Sequence, residues 1–350
     1  MDMLTVEISL IYKKDGRTRK VHHVVMMPDF DAVGRLNAQL GKIGNLKSNG
    51  RPILGLDSRD LVEICVEACE DVLFVPAHIW TPHFSALGAR SGFDSLEHCF
   101  EDMLPHIYAV ETGLSSDPSM NARLSMLDDF ALVSNSDAHS PQKLGREATC
   151  FDTDASFKAI LDAIKSRDAQ RLTGTLEFFS EQGKYHLDGH RKCDVCLSPG
   201  ESEKVEGVCP VCGKPLTMGV MNRINQLADR DEKSTNRNVH FESLISLSEL
   251  ISTTVGVGPT SKRVQRIYDG MLESLGPELE ILRTLSIDPI DRAGFGEVGE
   301  AVEGMRSGAV NVTPGYDGVF GVIEIQGGSA VNQTAEADSQ TVSGEAFERS

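Results

Sequence analysis

The chain has 350 residues, 40% of them hydrophobic and 25% charged, and a formal net charge of −18. That length fits two or three domains, and no run approaches the roughly 18 consecutive apolar residues of a membrane span. Residues 1–25 lack the charged-then-apolar order of a secretory leader, so a cytoplasmic protein without a membrane partner is expected, and the acidic balance excludes one that coats nucleic acid through bulk charge.

From residue 4 to about 180, short β-rich runs alternate with helical ones. Strands are predicted near 4–12, 20–27, 71–77, 107–112 and 131–136, and helices near 30–41, 58–70, 94–103, 118–127 and 154–166. This is the rhythm of an α/β layer or barrel, in which ligand-binding side chains gather at the carboxyl ends of strands. Two apolar strands end in polar clusters: DVLFVPAH runs into His78, and ALVSNSDAH into Asp137 and His139. Residues 181–228 change character, rich in Gly, His, Lys and Cys, and read as a small metal-stapled module. Asp229–Asn238 reads as a linker, residues 229–326 as a mainly helical domain closed by a strand in PGYDGVFGVIEI, and residues 327–350 as a disordered tail.

Four of the eight cysteines form two pairs, Cys193/Cys196 and Cys209/Cys212, each C-x2-C and separated by twelve residues. This spacing suits one structural Zn²⁺ held by four thiolates, a closed shell that leaves no place for substrate; a redox dithiol is the alternative. His186 and His190, just upstream, are alternative ligands or contacts to a partner. The scattered Cys65, Cys69, Cys99 and Cys150 read as small buried hydrophobes. A second constellation, Glu7, His22, His78, Asp137 and His139, has the residue types that bind hard or borderline divalent ions. Taken singly, each has an ordinary core or surface reading.

The segments VPAHIWTPHFSALGARSGFDS, YAVETGLSSDP, SNSDAHSPQKLGRE, GKYHLDGHRKC and CPVCGKPLTMGV resemble those of endonuclease Q, a DNA-repair nuclease of the PHP superfamily, and the similarity runs from about Val6 to Ile325. The resemblance implies a distorted (β/α)7 barrel followed by the four-Cys zinc module and the helical domain, with up to three catalytic ions (Zn²⁺, Mg²⁺ or Mn²⁺) at the barrel mouth. It implies nicking of DNA 5′ of deaminated bases (uracil, hypoxanthine, xanthine) or abasic sites. By position, Glu7 resembles the carboxylate that bridges two ions, His22 and His78 the imidazoles beside it, and Asp137 and His139 the final D-x-H pair. The family also carries an H-x-H strand ahead of the bridging Glu, and only MDMLTV precedes Glu7 here. The first strand or strands of the barrel are therefore expected to be missing, through a start assigned too far downstream or a truncated gene product, and this form to be inactive.

Residues 1–51 hold nine Lys/Arg against five acids. Within them KKDGRTRK, with Lys13, Lys14 and Arg17, is a candidate phosphate clamp near the metal site, or else a solvated turn. TTVGVGPTSKRVQR resembles half of a helix-hairpin-helix, with Gly256, Gly258, Lys262, Arg263 and Arg266 placed to grip a backbone phosphate; tight helix packing is the alternative. Trp80, Phe84 and Phe93 could wall a pocket for an extruded base, or be core. Two readings compete with the nuclease: a PHP phosphoesterase acting on a small phosphorylated molecule, and a non-catalytic protein that binds damaged DNA. No phosphate loop of the G-x-x-x-x-G-K-[ST] type is present, which excludes a helicase.

Overall fold

The computed structural model describes residues 3–47, 50–231 and 240–325. The expected tail from Gly327, and most of the expected linker, lie outside them. The chain divides into two compact units, one of residues up to 245 together with 312–323, the other of residues 246–311 with those from 324 onward.

The first unit opens with a long antiparallel hairpin, β1 (Leu4–Lys14) and β2 (Arg17–Met27). Asp15 and Gly16 turn it with φ of 52° and 72°, the double positive-φ geometry for which Asp-Gly is favoured because it matches strand twist. Alternation along the strands buries Ile8 and Leu10 against Val21 and Val25. Next come α1 (Phe30–Leu40), N-capped by Asp29, then β3 (Ile53–Leu54), α2 (Ser58–Ala68), N-capped by Asp57, and β4 (Leu73–Pro76). These strands form one sheet in the order β3-β1-β2-β4, with β3 parallel to β1 and β4 antiparallel to β2.

Beyond α3 (Leu96–Phe100) lie β5 (Ala109–Glu111), α4 (Pro118–Asn121) and β6 (Ala131–Val133), with β5 and β6 parallel. Then β7 (Ala148–Phe151), α5 (Phe157–Ser166) and β8 (Leu172–Phe178) follow, β7 pairing antiparallel with β8. The first unit is thus α/β with mixed sheets. Its largest apolar cluster joins Leu36, Leu61, Cys65, Phe74, Phe93, Cys99 and Phe100, so Cys65 and Cys99 are the buried small hydrophobes expected; Cys69 and Cys150 are half-buried.

The Cys-rich segment carries β9 (Asp188–His190), β10 (Val195–Leu197), α6 (Pro199–Lys204) and α7 (Val220–Leu227). It does not stand apart from the first unit. Arg223 on α7 donates to the carbonyls of Leu87 and Phe93, both at 2.9 Å, and Ser125 N donates to Asp229 at 2.8 Å. Later, β11 (Phe241–Leu244) pairs parallel with β8. The helical unit therefore begins at Ser246, not at 229, because backbone ladder bonds return 241–244 to the first unit. Residues 312–323 return for a similar reason: Leu187 N donates to Gly315 O at 3.0 Å, and Thr217 Oγ1 to Asp317 Oδ1 at 2.6 Å.

The second unit comprises α8 (Leu247–Val255), α9 (Lys262–Leu275), α10 (Glu278–Arg283), α11 (Ile287–Arg292) and α12 (Gly296–Arg306) around buried Leu250, Ile251, Val264, Met271, Ile281, Ile290 and Val302. Ser246 and Ser261 cap α8 and α9 through their hydroxyls. The paired strands β12 (Val310–Thr313) and β13 (Val322–Ile325) carry the chain through the unit boundaries. Among the described residues, no helix is long and apolar enough to cross a membrane.

Candidate metal centres

Glu7 on β1 lies opposite Val24, and His22 on β2 lies opposite Ser9. Because side chains two apart on a strand share a face, Glu7 and His22 are diagonal neighbours on one side of the hairpin. His78 reaches them from two residues beyond β4, with φ of 30°. A Cβ on Gly113 would come within 2.5 Å of the His78 Cβ, so the glycine of YAVETG is what lets the two chains close here. The result is a compact donor set: His22 Nδ1 lies 2.8 Å from Glu7 Oε1 and 3.2 Å from His78 Nε2, and His78 Nε2 lies 3.6 Å from Glu7 Oε1. All three donor atoms lie within 4.8 Å of one another. One carboxylate oxygen and two ring nitrogens converging on a point suit a hard or borderline divalent ion.

The electrostatics of Glu7 and His22 fit that use. Burial, with the charges of His78 and Arg51, pushes His22 down to about 4, leaving the ring neutral at pH 7. Burial would raise Glu7, but the hydrogen bonds and charges of His22 and His78 hold its carboxyl well below the usual carboxylate range. Burial opposes the charged form of His78, yet the Glu7 hydrogen bond and the charges of Glu111, Glu7 and Asp137 raise it overall.

Glu111 was missed from the sequence, although YAVETG follows the same rule, an apolar strand ending in a ligand-type residue, that singled out His78 and Asp137. Its buried carboxyl accepts from His78 N at 2.7 Å and from Asn135 Nδ2 at 2.7 Å, and burial raises it. Glu7, His78, Glu111, Asn135 and Asp137 together line a cavity of about 320 Å³. His139 does not join them. Its side chain is exposed and its Nδ1 lies 2.9 Å from the Asp137 carbonyl, so of the D-x-H pair only Asp137, held at φ of 43°, faces the cavity. A second unforeseen neighbour is Arg51, whose Nη1 donates to Glu7 Oε1 and lies 2.7 Å from His22 Nδ1. Nothing in the local sequence marks it.

The cysteine cluster also differs from expectation. The atoms that converge within 4.8 Å belong to His190, Cys193, Cys209 and Cys212, not to Cys196. Cys196 pairs with Gly189 in the β9–β10 ladder and is exposed, whereas His190, at the end of β9, brings Nδ1 to 3.3 Å from Cys212 Sγ. Within the ladder alternate residues point to opposite sides, which takes Cys196 out of the set. Burial would raise the Cys209 thiol, but the amides of Cys212 and Val211 and the His190 ring lower it to about 6, so it ionises readily for a metal. His186 is no surface contact: it is buried, with Nδ1 3.1 Å from the Ser180 carbonyl.

Of the proposed base pocket, two members are core. Trp80 is fully buried and donates Nε1–H to Asn121 at 2.8 Å, and Phe93 is buried with the Arg19 guanidinium 4.1 Å over its ring. Phe84 alone is half-exposed and beside the site, its ring centroid 4.6 Å from that of His22.

The KKDGRTRK clamp is also revised. Lys14 is held by Asp57 at 3.1 Å and Glu101 at 2.6 Å. Lys13 and Arg17 are exposed at a hairpin tip, level with positions six and seven residues along the strand from Glu7, roughly 20–23 Å at about 3.3 Å per residue. They are too distant to serve a phosphate at that centre.

In the second unit, α8 ends at Gly256 with φ of 67° and α9 begins at Lys262. A Cβ at Gly256 or at Gly258 would meet nothing within 4 Å. Tight helix packing therefore does not explain the glycines; the positive φ does for Gly256.

Residues 246–309 match the family model of the MJ0043 C-terminal domain, and residues 122–169 the PHP-associated model. The chain is 31% identical over 242 residues to the protein MJ0043 of Methanocaldococcus jannaschii, an alignment covering 67% of this chain and 30% of that protein. The chain thus spans about a third of that relative. It is 28% identical over 311 residues to YqxK of Bacillus subtilis, covering 87% of this chain and 74% of YqxK. Among solved structures it superposes, at 30% identity and a TM-score of 0.79, on the lesion-specific endonuclease PfuEndoQ from Pyrococcus furiosus, covering 91% of this chain and 77% of that one. It superposes equally, with a TM-score of 0.78, 30% identity and coverages of 91% and 78%, on endonuclease Q in complex with a 27-mer duplex substrate with an abasic lesion at the active site. The α/β fold, the PHP-associated segment and the carboxylate–imidazole cluster define a protein of the PHP superfamily. Within that superfamily the chain belongs to the endonuclease Q family of nucleases.

Proposed function

We propose that this protein is a metal-dependent DNA-repair endonuclease that hydrolyses the phosphodiester 5′ of deaminated bases (uracil, hypoxanthine, xanthine) or abasic sites. The observation that carries the reading is the convergence of Glu7, His22 and His78 within 4.8 Å in a chain that superposes on endonuclease Q. The abasic duplex held by the solved relative supports DNA as the partner. On this reading the mixed sheets of the first unit are parts of a distorted PHP barrel, and the His190/Cys193/Cys209/Cys212 set holds one structural Zn²⁺.

Glu7, His22 and His78 would hold a divalent ion, with Asp137 at the wall of the same cavity. When bound, such ions supply Lewis acidity, lowering the pKa of water and neutralising phosphate charge. The chain's own residues do the rest. Glu7 supplies the negative charge of the ligand set, and His22, held neutral, supplies a lone pair. Glu111 anchors the His78 backbone, and the Thr81 hydroxyl, 3.0 Å from His78 Nδ1, orients the ring so that Nε2 faces Glu7. Phe84, tilted 32° against the His22 ring, is the aromatic surface a displaced base would meet. Lys262 and Arg263, at the glycine turn of the second unit, would grip a backbone phosphate without reading bases.

The test is cleavage of an end-labelled duplex bearing one uracil or abasic site, with Mn²⁺ or Mg²⁺, beside a version of the protein preceded by the family's H-x-H strand. We expect a nick 5′ of the lesion, abolished by chelator and reduced at least a hundredfold by Glu7→Gln or Asp137→Asn. No nick by either protein, when both are folded and zinc-loaded, would sink the nuclease reading. A protein that binds damaged DNA without cutting it would then be favoured; Arg51 lying on the ligand atoms is the observation that keeps this second reading in view.

A further inference from the structure

Arg51 faces the Glu7/His22/His78 set as a cation. Its Nη1 donates to Glu7 Oε1 and lies 2.7 Å from His22 Nδ1 and 3.5 Å from His22 Nε2. Two of its partners, Glu7 Oε1 and His22 Nδ1, belong to the set of donor atoms that lie within 4.8 Å of one another. A guanidinium offers only N–H donors and no lone pair, so it cannot share in coordination. The Glu7 lone pair that accepts from Arg51 is not available to an ion at the same moment, and Nη1 at 2.7 Å from His22 Nδ1 crowds an ion out from that nitrogen. The carboxylate of Glu7, in turn, is three-quarters shielded from solvent and needs a positive neighbour. Arg51 meets that need with a fixed charge on a side chain that keeps 29% of its own surface exposed. It can therefore leave towards water without dismantling a core.

We propose that Arg51 is an exchangeable internal cation of this centre, occupying the Glu7 and His22 ligand atoms in the metal-free protein and released when a divalent ion takes them. The inference rests on the metal-site part of the proposed function, not on the chemistry or the substrate. It makes ion affinity a property set by Arg51: the ion must displace a salt bridge before it gains its ligands. No bond is made or broken in the exchange, and charge at Glu7 is compensated in both states.

The probe is Mn²⁺, which favours carboxylate and imidazole over the thiolates of the cysteine cluster. Its affinity is measured by calorimetric titration on the zinc-loaded protein. Arg51→Met, which keeps the aliphatic stem and removes the charge, should bind Mn²⁺ at least tenfold more tightly than the unaltered chain. Arg51→Lys, which keeps a cation, should stay within about threefold of it. The gain must vanish when Glu7→Gln is added. Equal or weaker Mn²⁺ binding by Arg51→Met overturns the proposal, since Arg51 would then build the ligand set instead of competing for it. A gain that persists in Glu7→Gln overturns it as well, because the ion would be bound elsewhere.

A second measurement needs no variant: labelling of Arg51 by phenylglyoxal, followed by mass spectrometry, should accelerate several-fold on addition of Mn²⁺. Unchanged or slower labelling contradicts release. Tightened binding in Arg51→Met beside a failed cleavage assay would remove the nuclease reading and leave the exchange standing.

Discussion

At the scale of single residues, burial sets chemistry that type alone does not. Glu177 sits fully buried on β8, with the Thr112 and Ser134 hydroxyls donating to it at 3.1 Å. Burial pushes its carboxyl up to about 7 from an ordinary 4.5. The folded protein therefore holds a proton there that the unfolded chain releases above pH 4.5. Stability drains as pH rises from about 4.5 to about 7 and is flat beyond. At about 1.36 kcal/mol per pH unit the loss is on the order of 3 kcal/mol. Glu177→Gln, which cannot ionise, should match the unaltered protein near pH 4.5 and exceed it increasingly up to pH 7. Denaturant midpoints compared across that range check this; parallel curves would show that Glu177 is solvated. The same scale explains the mixed fortunes of the candidate residues. Glu7, His22, His78 and Asp137 share one face or cavity, whereas His139, two residues from Asp137, is turned to solvent.

At the scale of elements, the cysteine module shows what spacing can and cannot say. C-x2-C twice over announces a metal knuckle, and a convergent soft ligand set is there. Which side chains converge depends on β9 pairing with β10, a ladder that sends Cys196 outward and brings the end of β9, with His190, to the cluster. Cys196→Ser should therefore keep a full equivalent of zinc by elemental analysis, while His190→Ala and Cys209→Ser lose it or bind it far more weakly. Zinc loss in Cys196→Ser with retention in His190→Ala would restore the four-thiolate reading. Two strands near 4–12 and 20–27 were legible, yet they run on to Lys14 and Arg17 as one long hairpin, whose length carries Lys13 and Arg17 far from Glu7 and changes what those cations can do. Trp80 and Phe93 were legible as large apolars, but only the packing shows that they are core and that Phe84 is the aromatic next to the ligands.

For the whole molecule, the proposed function has to contend with a net charge of −18. On that proposal bulk repulsion of a duplex is offset by local cations, and Lys262 and Arg263 at the start of α9 are the candidates. Lys262→Ala with Arg263→Ala should weaken duplex binding about equally for lesion and intact DNA and lower the slope of log K against log salt by about 2. A slope unchanged in a salt titration would exclude this turn as a phosphate contact. Domain organisation was only partly readable. The shift from α/β to helical pattern was visible, but the return of 241–244 and 312–323 to the first unit was not, since the ladder partner of Phe241 is Thr175, and Asp317 meets Thr217 and Arg191 across 100 and 126 residues of sequence.

By itself the sequence determined the residue types available for metals, the alternation and caps that make each element, and, through long shared segments, the family. Those are local properties, set by periodicity, turn chemistry and ligand type. Only the tertiary structure shows that Arg51 lies against Glu7 and His22, that His190 and not Cys196 converges with Cys193, Cys209 and Cys212, that Lys14 is ion-paired and Trp80 and Phe93 are core, and that His139 faces solvent. Each of these turns on which donor atoms converge and which charges are buried together, distances that depend on strand pairing and packing between segments remote in the chain.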